Sequence, residues 1–211
     1  MAEFQIDPAR AAVINVDLQG LFVEGTPLAA PDGPATVARI NDVNAAARAA
    51  GVRVFFSRVV LPVDGSDTGY MASRVPAFIR AFYAEGAPTA ELHPSVVVEA
   101  GDVVFTKPRY GAFTDTDLES RLRDLGIDTD LITGIATNIC CDTTAREAAQ
   151  RDFHVYFVSD ATSTFDMQGV AGADLYAATC ASLAQVFADV VTIHDTLQAF
   201  GVAAQLAGAR R

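Results

Sequence analysis

The chain is short of the residues that would tie it to membranes, nucleic acid or a disulfide scaffold. Cysteine occurs only three times, an odd number, with two adjacent at Cys140 and Cys141. No disulfide framework and no CxxC pair of zinc-site spacing can be built from these, and a reducing compartment fits best. Lys and Arg number 15 against 26 Asp and Glu, a formal charge of -11 with a pI near 4.5. That balance excludes sequence-independent binding to phosphate backbones and argues against anionic membranes. No apolar run approaches the roughly 20 residues a membrane span requires, and residues 1–8 carry no basic region followed by an apolar one. The expectation is a cytoplasmic protein. Histidine is scarce as well: His93, His154 and His194 stand apart at no ligand spacing, so neither a metal site nor a cofactor is expected.

What is abundant is hydrophobic residue, 51% of 211 positions, enough for one domain over 1–211 with a sizeable core. Short β-branched and aromatic runs alternate with Ala-rich stretches. The runs at 11–17, 52–58, 103–105, 130–135, 153–158 and 190–193 read as strands, and those at 34–50, 74–83, 115–125, 139–151 and 174–187 as helices. Gly51 and Gly126 stand as C-terminal stops. Alternating β and α elements with strands apolar on both faces predict a three-layer α/β/α sandwich around a mostly parallel six-stranded sheet. Residues 61–71 and 86–100 read as loops that line or cover a site, and 208–211 as a frayed end.

In such a sheet ligands bind beyond the carboxyl ends of the strands. Asp17 closes the first strand, Arg58 the second, Lys107 follows the third, and Cys140 opens the helix after the fourth. A cysteine on the first turn of a helix faces unpaired N–H groups and the positive end of the dipole, which favours thiolate. A carboxylate able to take the thiol proton, a lysine to stabilise the thiolate and a thiolate to attack a carbonyl form a coherent set. One step along a helix turns a side chain by about 100°, so Cys140 and Cys141 cannot both aim at one carbonyl. Cys180 reads as core.

The chain resembles the cysteine hydrolases of the isochorismatase-like superfamily over nearly its whole length. The motifs are Val-Ile-Asn-Val-Asp-Leu-Gln at 13–19, Ala-Gly-Asp-Val-Val at 100–104, Lys-Pro-Arg-Tyr-Gly-Ala-Phe-Thr-Asp-Thr-Asp-Leu at 107–118, Thr-Gly-Ile-Ala-Thr-Asn-Ile-Cys at 133–140 and Val-Ser-Asp-Ala-Thr at 158–162. The resemblance implies Cys140 as nucleophile, Asp17 as general base and later acid, and Lys107 as their electrostatic partner, with Cys141 as packing. It also implies a cis peptide at Ile135–Ala136 and an oxyanion pocket from the backbone N–H groups of Ala136 and Cys140. A homodimer or homotetramer is implied in the same way.

Nicotinamidases resemble the chain in this trio but add an Asp and paired histidines for a metal in a segment that here reads Ser-Arg-Val-Val-Leu-Pro-Val-Asp-Gly-Ser-Asp. The closer resemblance is to ureidoacrylate and biuret hydrolases. The expected function is therefore a metal-independent amidohydrolase acting on a small amide, carbamoyl or ureido compound with release of ammonia. Phe22, Tyr110, Phe113 and Asn138 are the expected substrate contacts. Arg58, ahead of Arg74 and Arg109, is the expected fork for a substrate carboxylate. Two alternatives stand beside this: an isochorismatase-type vinyl ether hydrolase, which needs no thiol there, and a non-catalytic small-molecule binder on the same fold.

Overall fold

The computed structural model describes residues 5–208. Its strands are β1 (Ala11–Val16), β2 (Arg53–Val59), β3 (Val103–Lys107), β4 (Thr129–Ile135), β5 (His154–Ser163) and β6 (Asp189–Val191). They form one all-parallel sheet in the order β3-β2-β1-β4-β5-β6. From β1 the chain first builds outward to β3 and then returns to add β4 on the other side. The crevice between β1 and β4 is thus the switch point at which open α/β sheets bind ligands.

Successive side chains along a strand point to opposite faces, and the core divides accordingly. Val13, Leu131 and Val158 face α1 (Gly20–Val23), α2 (Gly33–Ala50) and α8 (Ile193–Gly208), where Val37, Ile40 and Phe200 meet them. Ile14, Ile132 and Phe157 face α5 (Leu118–Asp124), α6 (Asp142–Ala149) and α7 (Gly172–Val186), where Leu122, Ala148 and Leu183 close the other layer. Inside the first layer, Asn15 donates to Asn44 Oδ1 at 3.1 Å and to Phe55 O at 3.0 Å, while Thr133 donates to Asn15 Oδ1 at 2.8 Å. This buried network pins α2, β1, β2 and β4 in one register, since a polar core group is tolerated only when bonded.

Three elements depart from the sequence expectation. The helix expected over 74–83 is broken into α3 (Met71–Arg74), α4 (Ala77–Arg80) and a 3-10 turn, Ala81–Tyr83, because Pro76 drives Val75 into an extended conformation. The strand expected to run to Ile193 stops at Val191, and α8 follows. Its start is a capping box: Thr192 N donates to Asp195 Oδ2 at 3.1 Å and Asp195 N to Thr192 Oγ1 at 3.2 Å. The helix expected from Ile139 begins instead as a π-helical turn, Thr137–Cys141, that runs into α6. Of the end expected to fray, residues 209–211 lie outside the described residues.

Among the described residues, no helix is long and apolar enough to cross a membrane.

Candidate active site

β1 ends at Val16, and Asp17 turns the chain with φ of 54°, a left-handed conformation that Asp adopts more readily than most residues. Opposite it, Gly134 pairs with Val16 at φ of 127°, and a Cβ there would lie 2.1 Å from Val16 O. Only glycine lets β4 press this closely on β1, and the contact brings the segment 135–140 against Asp17. The peptide Ile135–Ala136 is cis.

Three strands supply the buried ionic centre. Asp17 is 0% exposed and Lys107 1%. Lys107 Nζ lies 2.8 Å from Asp17 Oδ2, and it donates to Arg109 O at 2.9 Å and Tyr110 O at 2.6 Å. Two of the three N–H bonds of the ammonium are thus taken by backbone carbonyls, and the carboxylate stands beside it as an ion pair. Ser57 of β2 donates through Oγ to Asp17 Oδ1 at 2.8 Å, and Asp17 N donates to Ser57 O at 3.2 Å. Burial alone would push the Lys107 ammonium down, but the Asp17 carboxylate beside it prevails and holds its pKa above the ordinary lysine value.

Cys140 sits within hydrogen-bonding reach of Asp17, and the backbone N–H of Ala136 faces its sulfur. Ala136 O accepts from Ile139 N at 3.2 Å and Cys141 N at 3.1 Å, passing over the N–H of Cys140. The expected effect of the helix end is outweighed: burial pushes the Cys140 thiol up, Lys107 pulls it down, and Asp17 pushes it up again. The resting group is a thiol whose proton has a carboxylate to go to. Cys141, fully buried, directs its thiol at Thr133 O, 3.8 Å away. Cys180, read from sequence as core, is only half-buried beside Tyr176 on α7.

Cys140 opens on a cavity of about 450 Å³. Phe22, Leu28 and Val59 form one side, the segment from Met71 to Tyr83 covers it, and Tyr110 and Phe165 to Gln168 complete it. Beyond the cover, the turn at Pro88–Ala90 is tied to the end of β2 through Gln19, whose Nε2 donates to Val59 O at 3.0 Å and Ala90 O at 2.6 Å.

The remaining sequence-named residues separate. Phe22 and Tyr110 line the cavity with Cys140 and Ala136. Arg58 does not: the strand alternation that sends Ser57 to Asp17 turns Arg58 away, and its guanidinium pairs with Glu91. Arg109 is paired with Asp67 at 2.7 Å. The cation that lines the cavity is Arg74, exposed and without an ion-pair partner among the described residues. Phe113 lies in the core instead, its ring 5.6 Å from that of Phe153 and covered by Arg151, because Glu147 accepts its backbone N–H at 2.9 Å and draws the loop onto α6. Asn138 stands behind the wall, accepting from Thr164 Oγ1 at 2.5 Å and donating to Met167 Sδ at 3.4 Å; Met167 is what reaches the cavity. Among the described residues no group of three or more His, Cys, Asp or Glu side chains is placed to hold a metal ion. Sequence reasoning missed Ser57 and Tyr83. A lone serine in Val-Phe-Phe-Ser-Arg-Val was the available signal for the first; nothing local marked the second.

The isochorismatase domain model matches residues 11–195. The chain belongs to the isochorismatase family. It is 35% identical to a ureidoacrylate amidohydrolase RutB of Methylorubrum extorquens over 160 residues, covering 70% of this chain but 62% of that one, so it spans less than two thirds of that relative. The RutB of Serratia proteamaculans is 32% identical, with 80% and 76% covered. The fold is similar to a cysteine hydrolase from Pseudomonas syringae pv. phaseolicola, with a TM-score of 0.90, 33% identity and 95% and 96% of the chains covered. It is also similar to an isochorismatase family protein from Burkholderia thailandensis, with a TM-score of 0.77, 31% identity and 93% and 98% covered.

Proposed function

We propose that this isochorismatase-family chain is a cysteine amidohydrolase that cleaves the C–N bond of a small amide, carbamoyl or ureido compound and releases ammonia. The observation that carries the reading is the juxtaposition of a cavity-facing thiol, a buried carboxylate within its reach and a buried ammonium held on that carboxylate. The family and the two RutB relatives support the reaction class. The presence of a thiol at 140 argues against the vinyl ether hydrolase, which would need none, and a site this completely wired argues against a mere binder.

In this mechanism substrate binding brings the carbonyl carbon over Cys140. Asp17 takes the thiol proton as the S–C bond forms, and the carbonyl electron pair moves onto oxygen, which rests on the N–H groups of Ala136 and Cys140. The pair returns, the C–N bond breaks, and the nitrogen leaves as ammonia with the proton from Asp17. Water then gives a proton to Asp17 and its oxygen to the carbonyl carbon, and the thiol leaves, reclaiming that proton. The sum is amide plus water to acid plus ammonia. Lys107, held by two backbone carbonyls beside the Asp17 carboxylate, works by charge: it favours thiolate when the proton moves.

Arg74 at the cavity fits a substrate carboxylate. The reading also includes a homodimer or homotetramer, supported by α7, which buries only Thr179 and Leu183 along 15 residues and leaves Val186 71% exposed. The direct test is an ammonia-release screen over ureidoacrylate, biuret, N-carbamoyl amino acids, maleamate and nicotinamide. Turnover of a carboxylate-bearing member is expected. Turnover of none would overturn the amidohydrolase reading, and preference for nicotinamide would overturn the assigned substrate class.

A further inference from the structure

The wall of the cavity is apolar around Cys140 except for a few groups, and one of these has no role in the mechanism so far. Tyr83 ends the 3-10 turn of the cover. Its carbonyl accepts from Leu61 N at 2.9 Å, Leu61 O accepts from Glu85 N at 2.9 Å, and its ring packs edge-on against Phe22 with centroids 5.8 Å apart. The side chain is therefore held rigidly and is 6% exposed, yet it lines the cavity. Among the described residues no protein group bonds its hydroxyl. It shares that cavity with Cys140 and Tyr110, and burial, with the charges of Cys140, Tyr110 and Asp17 behind it, pushes the hydroxyl's pKa up. An open hydroxyl held rigidly in the wall of the nucleophile's cavity is suited to a ligand.

The other groups near Cys140 are already committed. Ser57 donates to Asp17 Oδ1, the Lys107 ammonium pairs with Asp17 Oδ2, and Lys107 donates to Arg109 O and Tyr110 O. The Ala136 N–H faces the sulfur, where the substrate oxygen will develop charge. A primary amide brings two N–H donors into this site, and the nitrogen that leaves has no acceptor assigned to it.

We propose that the Tyr83 hydroxyl oxygen accepts one N–H of the substrate's –NH2 group and so orients the leaving nitrogen. Held by that bond, the lone pair that nitrogen gains when the carbon becomes tetrahedral faces Asp17, which delivers the proton before the C–N bond breaks. Tyr83 transfers no proton and forms no covalent bond. This inference rests on the amidohydrolase reading and adds a residue to it.

The test is Tyr83→Phe, which keeps the ring and its contact with Phe22. Ammonia release from ureidoacrylate and maleamate gives kcat and KM. Modification of the Cys140 peptide by methyl methanethiosulfonate, followed against pH by mass spectrometry, reports on the thiol independently of any substrate. The expected result is a kcat lower by roughly 10- to 100-fold, a KM within about threefold, and an unchanged pH profile for Cys140. A kcat within twofold of the parent would overturn the proposal, as would a shifted thiol profile, because Tyr83 would then act on the nucleophile and not on the substrate. Ammonia release absent from the parent on these and every other compound of the screen would instead overturn the amidohydrolase reading, and this inference with it.

Discussion

Lys107 donates to Arg109 O and Tyr110 O and stands beside the Asp17 carboxylate as its ion pair. Held in this way, it acts on Cys140 as a fixed positive charge in a buried site. Removing the charge while keeping the chain length tests this. In Lys107→Met the downward pull on the Cys140 thiol is gone, so its modification by iodoacetamide should require more alkaline pH, and kcat should fall by about 100-fold or more. An unmoved alkylation profile would contradict the role. Asp130 presents the opposite case: fully buried, with neither carboxylate oxygen bonded among the described residues, and driven well above the usual Asp value by burial. Its folded pKa exceeds its unfolded one, so the native state binds the extra proton between the two values. Stability is then fully supported below about 3.9 and is lost as pH rises through the folded value. Asp130→Asn should remove that part of the pH slope in urea titrations; an unchanged slope would show that Asp130 does not cause it.

At the scale of elements, the site depends on two strand ends that approach more closely than side chains allow. Gly134→Ala would put a Cβ 2.1 Å from Val16 O at a φ of 127°. It should cost at least about 2 kcal/mol in urea unfolding and reduce activity beyond the loss of folded protein, since Ala136 and Cys140 follow directly. This dependence was only half visible in the sequence. The strands, their order of use and the end of the sheet that carries Asp17, Lys107 and Cys140 were legible, because apolar periodicity and chain order dictate them. The packing partners were not. Arg58 and Arg74 look equivalent as residues, and only the alternation along β2 and the break at Pro76 decide that Glu91 takes one and the cavity the other. Phe113 could not be told from a wall residue until Glu147 was seen to draw its loop onto α6. Helix α8 was signalled by Thr192-Ile-His-Asp195, a capping box masked by the β-branched run before it and the glycine at 201.

For the whole molecule, the parallel sheet sets the chemistry by bringing β1, β2, β3 and β4 to one edge, so that residues more than 120 positions apart meet around one thiol. Asp17 and Lys107 are buried behind a mostly apolar cavity, so their charges are little screened there. The mechanism stands or falls on which sulfur attacks. Cys140 opens on the cavity while Cys141 points at Thr133 O, and both are removed without large volume change by alanine. The decisive measurement is ammonia release by Cys140→Ala and Cys141→Ala beside the parent chain on the same substrate. Loss of at least about 1,000-fold in the first, with the second within about tenfold of the parent, is the expected result. Activity that survives in Cys140→Ala, or is abolished only in Cys141→Ala, would contradict the mechanism at its centre.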